Sequence, residues 1–477
     1  MATSTVKKIG FLGLASMVFG SIVGGGIFDI PQNMAAQSAL GPVLIAWLIT
    51  AIGMFALAWT FKILSDERPD LAIGIFAYAR QGFGRYIGFN SAWGYWLACI
   101  AGNVAFAIMV NDSLGHYFPI FLKHSWPTFV LGLAFIWFYN FLVLAGIKQA
   151  AAINTITVII KFIALIGIIL AMIVVMHIDW FHVDFWGKQL HLGPIWEQIK
   201  APMLVTLWCF IGIEGAVVIS NHAQNPKQIG PATVVGFLIA LGLYVVLSIL
   251  PYGVMAQPQL AKLTDPSTGY ILQTLVGNWF VDFVTISVLI SVGGAWVAWT
   301  ILMAQLPFAA AKGGTLPKVF STENGKGVPA GSLWISSIVM SIFMGVALLA
   351  KNVYLASINI TSVIILPCYL LSAMYLWQQA QQKKLYVNNA KQRRIALFTG
   401  ILATFYCFWL LYSANLAYLL AATPIYAVGI IPFWMAGHEE GKKFKEIFTK
   451  VDAILALIMI GLAILSIYLL YAGIIVL

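Results

Sequence analysis

Charge is the scarcest property of this chain: Asp, Glu, Lys and Arg make up 9% of its 477 residues against 61% hydrophobic, a balance that excludes a soluble globular domain of this length. The four cysteines, Cys99, Cys209, Cys368 and Cys407, show no CxxC or Cys/His spacing. They read as small packing residues, so no disulfide framework, zinc site or other metal site is expected. HExxH, GxSxG and paired intramembrane histidines are all missing, and an intramembrane hydrolase therefore lacks its parts. No strand precedes the glycine run GSIVGGGIF, which removes a dinucleotide fold and its cofactor. No soluble domain or low-complexity tail occurs. No cleavable signal peptide is apparent, because the first apolar run is long, interrupted at its centre and followed by others.

What is plentiful is apolar runs of the roughly 20 residues needed to cross a bilayer. Thirteen are bracketed, near 9–36, 41–64, 86–118, 126–147, 151–177, 202–223, 231–255, 281–311, 332–350, 353–377, 395–413, 415–437 and 451–476. The fold expected is an all-α polytopic membrane protein embedded in a lipid bilayer. With the N-terminus and its Lys7 and Lys8 in the cytoplasm, 20 of the 26 basic residues fall on the cytoplasmic side, as the positive-inside bias requires. Five fall outside (Lys123, Lys188, Lys200, Lys262 and Lys351) and Lys161 lies within a span. The net charge of +10 is accounted for by this bias, chiefly in the loops 378–394 and 438–450, so no nucleic-acid partner is inferred. Oligomeric state is not readable.

Two spans are interrupted. Gly24, Gly25 and Gly26 strip a whole turn of side chains from span 1, each at roughly 1 kcal/mol against alanine in a helix interior. FIGIEGA, 210–216, breaks span 6 and carries Glu214. Each break falls in the first helix of a five-helix block, the pattern of an inverted-repeat transporter with its site at the midplane. The chain then divides into repeats at 1–180 and 181–378, with three peripheral spans in 379–477. Segment 65–85 reads as a structured, partly amphipathic approach to span 3, and 179–200, with three tryptophans, as an interfacial stretch. Segment 257–279 is long enough to cover an outer vestibule; 312–331 looks like an ordinary polar loop.

A broken helix offers amide groups to an anion and carbonyls to a cation. One α-amino acid satisfies both, with its carboxylate on the amides of Gly24, Gly25 and Gly26 and its ammonium near the carbonyls of Ile22, Trp208 and Ile211. Glu214, a charge at mid-membrane, has three readings: a proton-linked gate, a counter-charge for a cationic substrate, or a fixed hydrogen bond to backbone freed in span 1. Lys161 either takes the place of a bound cation or forms a static pair. Trp208 and Trp299 present faces that attract ammonium and guanidinium groups, and Asn103 is a neutral polar group at mid-span. Asp112 and Asp29 lie nearer the exterior as vestibule or capping residues. A channel would want rings of like charge or repeated filters, which are missing.

The motifs GSIVGGGIF with Pro31, AYARQGFGRYIGF before YWLACIAGN, TLWCFIGIEGA before NPKQIG, and SVGGAWVAWTILMAQLPFAAAKGGTLP resemble the amino acid-polyamine-organocation superfamily over spans 1 to 12. The similarity is to its basic amino acid/polyamine antiporters, and GFNSAWGYWL and WCFIGIEGAVV are similar to arginine/ornithine antiporters in particular. The resemblance implies that Gly25 and Gly26 hold the substrate carboxylate and that Ile22, Trp208 and Ile211 take its amino group. It also implies that Trp208 and Trp299 flank the side chain, that Asn103 meets its polar end, that Glu214 links to gating or protons, and that Lys161 fills a sodium site of sodium-coupled relatives. Phe76 stands in GIFAYAR where related acid-resistance antiporters have a tyrosine, which removes the hydroxyl on which pH sensing there would rest. The function expected is secondary transport, not enzymatic activity, with arginine/ornithine exchange by alternating access in a bacterial inner membrane. A proton symporter, a histidine/histamine or tyrosine/tyramine exchanger, and a binding-only receptor are the alternatives.

Overall fold

The computed structural model describes residues 9–71, 75–122, 125–219, 223–264, 266–347 and 353–475; Lys7, Lys8, Lys123 and Lys351 of the charge pattern lie outside them. Among the described residues the chain is helical, with one isolated bridge between Ile9 and Ala223. Span 1 is Phe11–Ile22 followed by Ile30–Ala35, and span 6 is Met203–Phe210 followed by Gly215–Val218. The others are unbroken or nearly so: Leu40–Glu67, Arg85–Gly115, Trp126–Ala145 and Ile147–Val175 for spans 2 to 5, and Ile229–Ile249, Trp279–Lys312, Ala330–Ala347 and Val353–Gln381 for spans 7 to 10. Ala390–Ser413, Leu416–Val428 with Ile430–Glu439, and Lys450–Tyr471 complete the thirteen. Eleven helical stretches have the length and apolarity to cross a membrane, and Phe11–Ile22 and span 9 are shorter apolar helices.

Burial ranks the spans. The most apolar window of span 3 is wholly buried and that of span 6 is 89% buried, whereas span 13 buries 17%; spans 3 and 6 therefore form the centre and span 13 the rim. Span 8 packs on spans 3 and 5, span 7 on spans 1 and 2, span 10 on spans 3 and 11, and span 12 on span 13. Apolar helices have no hydrophobic drive toward one another in lipid, so close contact depends on small residues. At Gly94 of span 3 the Tyr426 hydroxyl of span 12 fills the place of a side chain and donates to the Ile364 carbonyl at 2.6 Å.

The face on which span 1 begins is rich in lysine and arginine. There the separate helix Ile75–Phe83 turns into span 3 at Gly84, whose φ of +98° suits glycine. Arg68, closing span 2, holds Asp70 through two bonds of 2.6 and 2.8 Å and donates to the Tyr375 hydroxyl. The hydrogen bond to Asp70 raises the Arg68 pKa and lowers that of the carboxyl. Segment 312–331 does more than the ordinary loop expected of it. Arg80 donates to the Gly313 carbonyl and to Thr315 Oγ1, while Arg85 reaches the Gly314 carbonyl at 3.2 Å and pairs with Glu440 at 2.8 Å. The glycine backbone there, uncovered by side chains, pins spans 3, 8 and 12 together.

On the opposite face, Trp180, Trp186 and Trp196 are each more than a third exposed, as suits an interfacial stretch. Segment 257–279 folds across the second half of span 1, where Ser267 Oγ donates to the Phe28 carbonyl at 3.2 Å and Gln257 Nε2 to that of Ala35 at 2.5 Å. The packing of span 11 is testable. A Cβ at Gly53 of span 2 would come within 2.1 Å of the Tyr406 ring, whereas one at Gly461 of span 13 meets nothing within 4 Å. Gly53→Val should destabilise by about 1–3 kcal/mol and lower the apparent Tm in detergent; Gly461→Ala should leave it unchanged.

Candidate functional site

The two broken spans lie side by side with their breaks at one depth. At the basic face the Gln224 amide donates to the Ile9 carbonyl at 2.8 Å, and at the breaks Ser21 Oγ donates to the Gly212 carbonyl at 2.9 Å. Gly212, at φ +104°, would place a Cβ within 2.9 Å of Ser21, so glycine is required both for the turn and for the approach of span 1. The three glycines of span 1 are equally confined. A Cβ at Gly25 would fall 1.9 Å from Met109 Sδ, one at Gly26 2.8 Å from Trp208 Nε1, and one at Gly24 3.1 Å from the Phe106 ring.

Ending a helix at Ile22 frees backbone carbonyls where lipid offers no donor. Five successive carbonyls are each met by a side chain. Lys161 of span 5 donates to those of Gly20 and Val23, Trp299 Nε1 of span 8 to Ser21 at 2.9 Å, the Tyr244 hydroxyl of span 7 to Ile22 at 2.9 Å, and Ser291 Oγ of span 8 to Gly24 at 2.8 Å. The amide side is different. Gly24 donates to the Ile22 carbonyl, but Gly25 and Gly26 donate no backbone hydrogen bond among the described residues, as at any helix start. The turn thus presents amides, with carbonyls already served.

Glu214 is wholly buried and opens the second half of span 6. Its two oxygens accept from the Tyr95 hydroxyl of span 3 and the Tyr369 hydroxyl of span 10, both at 2.7 Å. Its side-chain partners are therefore tyrosines of spans 3 and 10 and not backbone freed in span 1. Lys161 sits on backbone carbonyls of the break, and no carboxylate pairs with it among the described residues.

Of the residues expected to meet a substrate, Ile22, Gly24, Gly26, Trp208, Ile211 and Trp299 line one cavity, together with Ser21, Phe106 and Tyr244. Phe106 and Trp208 stand with ring centroids 6.3 Å apart. Two expected residues lie outside its wall. Gly25 packs on Met109 and Val292, and Asn103 donates to Met303 Sδ at 3.6 Å while its buried Oδ1 has no partner among the described residues. The cavity measures about 10 Å3, the size of one water, so this conformation is closed around the breaks. Sequence reasoning missed Ser21, Tyr95, Phe106, Tyr244, Ser291 and Tyr369. Their common signal is a hydroxyl or ring at the depth of a break, which only the depth of neighbouring spans makes visible.

Two broken helices side by side around a small closed cavity, with thirteen spans among the described residues, define an integral membrane transporter. A family model described as amino acid permease matches residues 9–436, and the chain belongs to that family. It is 43% identical over 475 residues to an arginine/agmatine antiporter of Chlamydia felis (98% of this chain and 97% of the relative). It is equally identical over 479 residues to one of Chlamydia pneumoniae (99% and 98%). Among solved structures, MhsT in complex with L-phenylalanine aligns with a TM-score of 0.58 at 13% identity, over 85% of this chain and 98% of that one. This likeness shows the fold, an inverted-repeat transporter fold with discontinuous helices 1 and 6.

The donors around the break make a graded test. Ser291→Ala strands one buried carbonyl, at about 1–3 kcal/mol, and Lys161→Met strands two, whereas Tyr244→Phe removes one of two bonds to the Ile22 oxygen, which keeps the Gly24 amide. Apparent Tm in detergent should fall in all three variants and furthest for Lys161→Met.

Proposed function

We propose that the chain is an amino acid antiporter that takes arginine in exchange for agmatine by alternating access. The observation that carries it is the turn at Gly24–Gly26, whose Gly25 and Gly26 amides have no backbone partner among the described residues and which stands beside the aromatic walls of Phe106, Trp208 and Trp299. The relatives' names supply the substrate pair. In the open site the arginine carboxylate lies on the glycine amides and its ammonium near the carbonyls of Ile22, Trp208 and Ile211. The Ile22 oxygen accepts from both Tyr244 and the Gly24 amide in the closed state, so it takes the ammonium when opening releases one of these bonds. The guanidinium lies on the faces of Trp208 and Trp299, and Asn103 Oδ1 accepts from it once the cavity widens.

Spans 1, 2, 6 and 7 then move against the rest, within repeats at 1–180 and 181–378. Glu214 and Lys161 act in coupling: their bonds reach from the breaks of spans 6 and 1 to spans 3, 10 and 5, so movement must exchange them. The basic face is cytoplasmic, by the positive-inside bias, and the membrane is the bacterial inner membrane. Ornithine is the second counter-substrate, favoured by the turn itself because ornithine keeps a carboxylate for the amides and agmatine has none.

Uptake of labelled arginine into proteoliposomes tests this. Uptake should require internal agmatine, with internal ornithine as the comparison, and Gly25→Leu should abolish it. Dependence on an imposed pH gradient without internal substrate would indicate symport instead. Preference for histidine with histamine, or tyrosine with tyramine, would reassign the pair, and binding without flux would make the protein a receptor.

A further inference from the structure

The closed cavity contains no carboxylate available to a cationic side chain, since both oxygens of Glu214 are held by tyrosines. One layer toward the face opposite the basic one, the chain differs. A crevice there is lined by Asp29, Met109, Asp112, Ser113, Pro266 and Tyr354. Met109 fixes its place relative to the site, because its sulfur lies against Gly25 and accepts from the Tyr354 hydroxyl at 3.8 Å. Asp112 follows Met109 by three residues on span 3, so its side chain projects from the same helix face about 4.5 Å further along the axis.

Asp112 is partly buried, and among the described residues it makes no hydrogen bond or ion pair. The nearest basic side chain along the helix, His116, is taken by Asp282 at 3.0 Å. Asp29, across the crevice, is fully buried and has a partner of its own. A carboxylate partly withdrawn from water without a counter-charge is costly, and a cation arriving from that face relieves the cost.

We propose that Asp112 is the specificity-determining residue for the cationic end of the substrate at the exterior face. It receives the guanidinium or primary ammonium while the site is open outward, one helix turn above the glycine amides that hold the carboxylate. Closure then withdraws the side chain from Asp112 onto the aromatic walls. The assignment rests on the antiport reading and on the orientation given with it.

The test compares arginine with citrulline, its neutral isostere, in right-side-out and inside-out vesicles carrying the full-length protein, with saturating agmatine on the opposite side. Asp112→Asn should raise the external KM for arginine about tenfold and narrow the external preference for arginine over citrulline by a similar factor. Maximal rate and the KM measured from the cytoplasmic face should stay within about twofold of wild type. Asp112→Glu, which keeps the charge, should restore the external KM. An unchanged external KM, an equal rise at both faces, or an Asp112→Glu variant no better than Asp112→Asn would overturn the assignment alone. Wild-type vesicles that exchange no arginine would defeat the antiport reading and this inference with it.

Discussion

Five consecutive carbonyls, from Gly20 to Gly24, have to find donors inside a membrane once span 1 stops being a helix. Each stranded group costs on the order of 1–3 kcal/mol, so a bare break would be untenable in lipid. The donors come from spans 5, 7 and 8, and the break can exist only when those spans are assembled around it. Serving the carbonyls completely leaves the amides of Gly25 and Gly26 as the turn's unmet groups. That asymmetry is what the proposed polarity of the site rests on: a carboxylate at the turn, with the cationic parts of a zwitterion beside it.

The same bonds sort the spans by what has to move. Ser21 to Gly212 and Tyr244 to Ile22 join spans 1, 6 and 7 to one another. Trp299 to Ser21, Ser291 to Gly24 and Lys161 to Gly20 and Val23 tie span 1 to spans 8 and 5, and the tyrosines on Glu214 tie span 6 to spans 3 and 10. If spans 1, 6 and 7 move as one body, the first set travels intact and the second set is exchanged. On that movement Trp299, a wall of the cavity, and Glu214, which lies outside it, would both exchange partners.

Much of this was legible before any coordinates. Apolar length marks the spans, and a run of glycines, or glycines flanking a carboxylate, inside an apolar run marks the breaks at Gly24–Gly26 and Glu214, while Lys161 stands out as a charge in mid-span. The partners do not. With 18 tyrosines and 17 tryptophans, no spacing singles out Tyr95, Tyr244 or Tyr369, whose roles depend on which span ends up at whose depth. Asn103 shows a second limit of spacing. It lies at the right depth but turns toward Met303 of span 8, since the face a helix shows the cavity is settled by packing. Segment 312–331 looks like an ordinary loop in the sequence because the acceptors it offers Arg80 and Arg85 include glycine carbonyls, which a sequence does not advertise.

Selectivity is the property least explained by the closed cavity. A ring face attracts an ammonium or guanidinium by about 0.5–2 kcal/mol, while burying a leucine-sized neutral side chain against the same walls gains about 1.5–3 kcal/mol. Phe106, Trp208, Tyr244 and Trp299 alone would thus not favour arginine over an apolar amino acid. The deep carboxylate does not help, because Glu214 spends its acceptors on two tyrosines. Nor does Lys161, whose charge would repel a cation. The proposed preference for cations would then arise where a charge is met before closure, the aromatic walls needing only to tolerate what that earlier layer has admitted.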